Sequence, residues 1–523
     1  MSSNNVRTRF FFTVGTNLVR SLISFITGVL LARWLAPLAY GEMAFLLGTV
    51  STIPQLLDMG SSTAFFTFLS QRPRSRHFVN AYFLWLALQF VIPLCAIAFF
   101  LPAGWVGSIW RGESRTLVLL AFGAAFMQSS LWPVIQQAGE SQRQTIRVQA
   151  VGVVVAVVNL IAVVLLWSWG TLGLYSVFSI TVLEYFIAAI VVHRRFQYAP
   201  TLTPGSLDDA DYGVRKYLTY CLPFVPYTAV GFAYAFADRW LLQVFGGGVQ
   251  QAYYAVAAQF SSIALIATTS ILSIFWKEIA EAHDRGDHAR TGRLYRKVSR
   301  LLFFIGAVCA GFCIPWSADL LQLILGTTYV GGAVTMTIMF LYPVHQSMGH
   351  IGSTMLYATE RASVMVITGI VFMIASMVVT YLVLAPPDAW IPGLGLASQG
   401  LAIKMVVMQL IQVNGLAYII ARIWGWPFDW IYQPVSLIGC IGLGWIAHYA
   451  AISIVTTHAY TLISMALSGF VYLVLVAVFL YTIPSIADFT RAEVVADVSL
   501  VYYALQKIFR TSGKPALDTI HRS

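Results

Sequence analysis

Charge is what this chain has least of. Only 10% of its 523 residues are Asp, Glu, Lys or Arg, against 59% that are hydrophobic. Soluble domains carry about 25% charged residues. A water-facing surface cannot be built from this composition, so the bilayer must be the solvent. Acidic residues are scarcer still, 21 against 31 bases, for a net charge of +10. That balance raises nucleic acid as a partner, but the bases sit in short loops at the ends of apolar runs. No basic block is interleaved with aromatics. The charge suits anionic membrane lipids instead, and no nucleic acid is expected. Cysteine is sparse: Cys95, Cys221, Cys309, Cys313 and Cys440 all lie in apolar segments, which excludes a disulfide framework. Cys309 and Cys313 share a helix face, yet no further ligands accompany them, so neither a metal nor another cofactor is expected. Long loops are missing from one side of the chain, which leaves no room there for a catalytic domain.

What is present is a series of apolar runs about 20 residues long, each sufficient to span a bilayer as a helix. Fourteen are read, near 10–32, 42–69, 78–101, 116–137, 147–167, 171–192, 217–243, 251–276, 298–316, 330–357, 363–384, 394–420, 431–452 and 460–482. The first exceeds a signal-peptide core and lacks a convincing cleavage site, so it reads as an uncleaved span. Pro54, Pro223, Pro226 and Pro343 fall inside runs and predict kinks. The expected fold is therefore an all-α polytopic membrane protein.

The bases are distributed unevenly over the gaps. Of 31 Lys and Arg residues, 25 fall in every second gap, seven of them between Lys277 and Arg300. Positive charge gathers on the cytoplasmic side, so both termini are expected there. Opposite gaps hold Arg33, Arg111, Arg115 and Arg239, with Trp34, Trp105, Trp110, Trp167, Trp169, Trp316 and Trp390 at the expected interfacial positions. The tail after 484 places Val494, Val498, Val501, Leu505 and Ile508 at helical spacing beside Lys507, Arg510 and Lys514, which reads as an amphipathic surface helix.

An internal echo organises the spans. Ala39-Tyr40-Gly41-Glu42-Met43-Ala44 opens the second run, and Ala252-Tyr253-Tyr254-Ala255-Val256-Ala257 opens the eighth. Gln137-Ala138-Gly139-Glu140 and Tyr357-Ala358-Thr359-Glu360 follow the fourth and tenth at a similar offset. These echoes divide the chain into a six-helix bundle over 1–195, a cytoplasmic linker over 196–216, a second six-helix bundle over 217–423, two further spans over 424–484 and a tail over 485–523. Transporters built from such repeats hold substrate between the halves.

Here the chain resembles a known family. Leu30-Leu31-Ala32-Arg33-Trp34-Leu35-Ala36-Pro37-Leu38-Ala39-Tyr40-Gly41 is similar to the first external hairpin of polysaccharide biosynthesis proteins of the Wzx type. Asp58-Met59-Gly60-Ser61-Ser62-Thr63-Ala64 looks like the family's D-x-G-x-x-x-A stretch, and Asp238-Arg239-Trp240-Leu241-Leu242 like its D-R-x-x-L. The resemblance implies a MATE-like flippase: two bundles around a central cavity, moving polyprenyl-diphosphate-linked oligosaccharide outward across a bacterial inner membrane. It identifies the family better than the glycan.

Two bases defy the alternation. Arg20 and Lys404 each lie about ten residues inside a run, where a charge costs at least ~2.5–3.5 kcal/mol and must face protein or water. Each reads either as a substrate ligand, since guanidinium forks match diphosphate oxygens, or as half of a structural ion pair. From opposite halves, the two would form a cationic patch in the cavity. Asn17 shares the face of Arg20 and is a further substrate contact. Glu184, Asp58 and Asp238 are carboxylates at membrane depth. They are candidates to bind a coupling H+ or Na+, with helix capping and ion pairing as the alternatives. His345 and His350 read as core histidines ahead of proton-linked ones. Asp209-Ala210-Asp211 resembles a sugar-nucleotide motif but has no nucleotide-binding domain beside it. Among functions, a lipid-linked-oligosaccharide flippase leads. A multidrug or cation antiporter would want a cavity dominated by carboxylates, which Arg20 and Lys404 oppose. A polymerase or ligase would want a large external loop, so no enzyme is expected.

Overall fold

The helical pattern read from the sequence is what the chain builds. A computed structural model describes residues 3–71, 76–141, 144–195, 217, 219–455 and 461–493. Every regular element among them is helical. The 196–216 linker, with its Asp209-Ala210-Asp211 motif, and the amphipathic tail from Val494 lie outside the described residues. The main helices are α1 (Ser3–Val50), α2 (Thr52–Asp58), α3 (Ser61–Gln71), α4 (Arg76–Cys95), α5 (Ala103–Ile109), α6 (Arg115–Phe126), α7 (Trp132–Ser141), α8 (Thr145–Ser168) and α9 (Leu174–Arg195). They continue with α10 (Val225–Asp284), α11 (His288–Cys313), α12 (Ser317–Leu325), α13 (Ala333–Met339), α14 (Tyr342–Ala358), α15 (Ala362–Leu384), α16 (Ala397–Trp424), α17 (Tyr432–Ile454) and α18 (Thr461–Thr482).

Among the described residues, nine helices are long and apolar enough to cross a membrane, or ten if the bent pair His288–Cys313 and Ser317–Leu325 is one span. Two physical features account for part of the difference from fourteen; in addition α10, which covers most of the expected runs 217–243 and 251–276, is not among the nine. First, expected spans are joined end to end: Gly15–Asp58 is one continuous helical stretch holding the first span and part of the second. Second, expected spans are broken. The run 330–357 is divided into α13 and α14 just before Pro343, whose ring cannot continue a helix without loss of a hydrogen bond.

The joins are sharp elbows rather than smooth helix. In α1, Ala36 leaves helical geometry at φ 63, ψ 166, and Pro37 restarts the helix. In α10 the matching break is Gly247 at φ 77, ψ −179, a conformation that costs glycine nothing but strains alanine. Each elbow lies a few residues before the Ala-Tyr pair that marked the sequence echo. The two elbows touch: a side chain at Gly41 would collide with the Gly248 carbonyl. Two bases at helix ends bond backbone carbonyls. Arg115 donates to the carbonyls of Ala98 at 2.8 Å and Leu101 at 2.7 Å, closing the π-helical turn Ala96–Phe100. Arg33 donates to Ile324 at 3.3 Å.

The chain forms two compact units. The first comprises 1–270, 317–342 and 361–412. In it, Trp132 and Ile135 of α7, Val148 and Val155 of α8, and Ala188 and Val192 of α9 make one apolar cluster. The second comprises 271–316, 343–360 and 413–523. Its helices α11 and α17 approach until their backbones touch, because a side chain on Gly444 would strike the Gly311 carbonyl. Small residues allow such contact between membrane helices, where dispersion must replace the hydrophobic effect. Tyr472 of α18 donates to the Val308 carbonyl at 2.9 Å and ties the third helix to this pair.

Candidate functional site

The first unit contains a cavity of about 400 Å³, and Arg20 lines it. Arg20, Ser24, Thr27, Gly28 and Leu31 recur every three to four residues, so one face of α1 forms a wall. Gly152, Ala156, Asn159 and Val163 do the same on α8, and Val177, Thr181 and Glu184 on α9. The walls are mixed: beside hydroxyls such as Ser24, Thr27 and Thr181, the stronger polar groups are Arg20, Gln128, Gln136, Asn159, Glu184 and Tyr185.

Arg20 has neutral partners. Its Nη2 donates to Asn17 Oδ1 at 3.2 Å. With the Gln136 amide turned so that its oxygen meets donors, that oxygen accepts from Arg20 Nη1 at 2.9 Å and from Trp132 Nε1 at 3.2 Å. Among the described residues no carboxylate lies within ion-pair distance of Arg20. Gly152 lies against this group: a β-carbon there would sit 3.3 Å from the Gln136 amide and 3.5 Å from Arg20 Nη1. Glu184 lines the same cavity. One of its oxygens accepts from Asn159 Nδ2 at 2.8 Å, while Oε2 is buried with no partner.

Lys404 is used differently. It is 1% exposed, and its Nζ donates to Asp238 Oδ1 at 2.8 Å and Oδ2 at 2.7 Å. Thr380 donates to Asp238 Oδ1 at 2.7 Å, and the ammonium lies 4.4 Å from the centre of the Tyr234 ring. The pair is saturated, and neither partner lines the Arg20 cavity. The structure therefore brings Arg20, Asn17 and Glu184 together. It joins Lys404 to Asp238 elsewhere in the unit, so the sequence-derived patch of Arg20 with Lys404 does not form at this cavity.

Asp58 ends α2 and caps α3. It accepts from Ser61 Oγ at 2.8 Å and from Ser62 N and Oγ at 2.9 Å each. This satisfies an orphan amide of the α3 N-terminus. The D-x-G-x-x-x-A stretch thereby has a physical reading. Asp58 caps, Met59 and Gly60 turn through positive φ, and Ala64 packs with zero exposure. In the D-R-x-x-L stretch, Asp238 holds Lys404, Arg239 lies 5.0 Å from the Tyr254 ring centre, and Leu242 is fully buried. His345 packs edge-on against Phe303 in the second unit, and His350 meets Gln346 there.

Sequence reasoning passed over Asn159, Gln136, Gly152 and Tyr185. Asn159 carried a usable signal, as the one amide in a stretch that is otherwise apolar from Gly152 to Trp167. Gly152 carried none, because its role appears only once Arg20 is seen to occupy the space beside it.

Comparison with known proteins agrees with this architecture. The sequence model of the family described as "Polysaccharide biosynthesis protein" matches residues 6–276, more than half of the chain. No functionally curated protein sequence matches. Among solved structures, the lipid II flippase MurJ in an inward closed conformation superposes with a TM-score of 0.65 at 12% identity, covering 90% of this chain and 98% of that one. An inward-facing multidrug resistance MATE family transporter of the MOP superfamily gives 0.60 at 14% identity, covering 77% and 95%. A MOP superfamily transporter from Pyrococcus furiosus gives 0.53 at 13% identity, covering 80% and 94%. At such identities the likeness is one of fold. This chain is a multi-pass membrane protein with the fold of MOP-superfamily transporters, and it belongs to the polysaccharide biosynthesis protein family.

Proposed function

We propose that the protein is a flippase that carries a lipid-diphosphate-linked oligosaccharide from the inner to the outer leaflet of a bacterial inner membrane by alternating access. The supporting observation is Arg20: a guanidinium on a cavity wall, held by two amides and, among the described residues, by no carboxylate. Arg20 is part-buried at membrane depth, where a charge without a counter-ion is costly, and an anionic headgroup entering the cavity would supply one. The planar fork suits diphosphate oxygens. Asn17 and Gln136 orient that fork, and Gly152 lies against it. With both termini cytoplasmic, the inside-negative potential assists: each negative charge moved outward gains about 2.3 kcal/mol per 100 mV. Glu184, which lines the same cavity and has one buried oxygen without a partner, is the group we assign to a coupling H+ or Na+. The division into two six-helix halves, a linker, two extra spans and a tail is part of the same reading.

The test is a deletion strain. Loss of the protein is expected to accumulate lipid-linked oligosaccharide on the inner leaflet, relieved by the wild-type gene. Normal export in the deletion, or hypersensitivity to cationic drugs as its sole phenotype, would reject the reading in favour of another transporter function.

A further inference from the structure

A second pocket, of about 220 Å³, lies in the other unit, between α11 and the turn that joins α16 to α17. Ala289, Gly292, Arg293, Arg296, Ser299 and Arg300 follow helical spacing, so one face of α11 forms one wall. The Trp426 indole forms the opposite wall. It lies so close to Gly292 that an added β-carbon would sit 2.9 Å from it, and the Tyr295 ring supports it at 6.0 Å. Phe428 and Tyr432 complete the apolar side.

The charges in this pocket are unequal. Arg300 is engaged: its Nε and Nη2 reach Asp429 Oδ2 at 2.8 and 2.7 Å, it bonds the Ser485 carbonyl, and it lies 5.2 Å from the Tyr432 ring centre. Asp429 is the one carboxylate among the lining residues, and Arg300 neutralises it. Arg293 and Arg296 are exposed at the rim and have no ion-pair partner among the described residues. Arg290, which does not line the pocket, is paired with Glu278 at 2.7 Å. The pocket therefore carries two excess positive charges over an aromatic wall.

We propose that this pocket binds a phosphate group through Arg293 and Arg296, and that its depth selects the headgroup of an anionic phospholipid as the source. Two features point to headgroup depth. Immediately after Arg300, α11 turns apolar, with no charge from Leu301 to Cys313. The adjoining turn carries Trp424, Trp426 and Trp430, a residue type that prefers the membrane interface. The charge alternation assigns this face to the cytoplasmic leaflet, where anionic lipids attract basic residues. The two arginine forks hold phosphate oxygens, and Trp426 and Phe428 meet the glycerol and first acyl carbons.

The test is native mass spectrometry of the full-length protein titrated with phosphatidylglycerol or phosphatidylcholine, beside calorimetric titration with inorganic phosphate. The variants are Arg293→Gln with Arg296→Gln, the charge-retaining Arg293→Lys with Arg296→Lys, and Arg285→Gln as a control. Arg285 is exposed and already paired with Glu281 outside the pocket. The glutamine pair is expected to weaken phosphatidylglycerol binding roughly thirtyfold, from about fivefold per base at a membrane surface. The lysine pair falls between, and Arg285→Gln matches wild type. If phosphate binding is lost in the glutamine pair without any lipid preference, the site holds with a soluble ligand as its source. Equal losses in the glutamine pair and in Arg285→Gln, or no loss in either titration, would overturn the site. Unchanged thermal unfolding of the glutamine pair keeps a loss of binding interpretable.

Discussion

Arg20 and Lys404 start from the same position in the sequence, each a base about ten residues into an apolar run, and the fold treats them oppositely. Lys404 is sealed against Asp238, with Thr380 and Tyr234 completing its shell. Arg20 is left facing a cavity, and among the described residues its hydrogen-bond partners are amides. One charge is spent inside the protein, and the other stays available. An intramembrane base is thus a question about its counter-ion before it is a functional residue, and the answer depends on residues far away in the chain.

Breaking one member of the sealed pair is expected to have the largest effect on the protein itself. Asp238→Asn strands a buried ammonium, at a cost of about 3–5 kcal/mol. Purified protein should lose folded yield and unfold at much lower temperature. Removing both charges together, as Asp238→Leu with Lys404→Met, should restore stability to near wild type, as replaced buried pairs often do. Arg20→Ala should behave in the opposite manner, with export lost and thermal unfolding changed little.

Smaller changes sharpen the contrast. Gly152→Leu pushes a side chain toward Arg20 and Gln136. It should reduce export while leaving the Asp238–Lys404 pair and most of the stability intact, measured by unfolding and export together. Glu184→Gln preserves the shape and the bond to Asn159 but removes the charge. Under the coupling assignment, export should cease to respond to an imposed ion gradient while substrate binding persists. The smallest effect belongs to the elbow. Ala36 holds a backbone conformation that suits glycine, so Ala36→Gly should stabilise the protein by about 1 kcal/mol, whereas Gly247→Ala should destabilise it by a similar amount.

Much of this could be read from the residues in order, and the gaps have physical causes. The all-helical membrane fold follows from composition and run length. The elbows fall where Ala36-Pro37 and Gly247 stand, a few residues before the Ala-Tyr echoes. Arg20 was recognisable because a charge in an apolar run has no local explanation. Its surroundings were not, because Gln136 and Gly152 reach it from other helices. Lys404 and Asp238 are separated by 166 residues, so one-dimensional reading finds both charges but cannot join them. Asp58 sits at membrane depth like a coupling carboxylate, yet its oxygens meet Ser61 and Ser62 within the same turn of chain. That local bond was accessible from the Asp-Met-Gly-Ser-Ser order and outweighs depth as a guide.

The central claim is that the available charge, and not the sealed one, does the work. It is tested most directly by measuring outward movement of lipid-linked oligosaccharide in a deletion strain that carries either Arg20→Ala or the Asp238→Leu, Lys404→Met double variant, at matched protein levels. The account predicts no export with Arg20→Ala and substantial export with the double variant. Normal export with Arg20→Ala, or its loss only when the sealed pair is removed from stably folded protein, would contradict it.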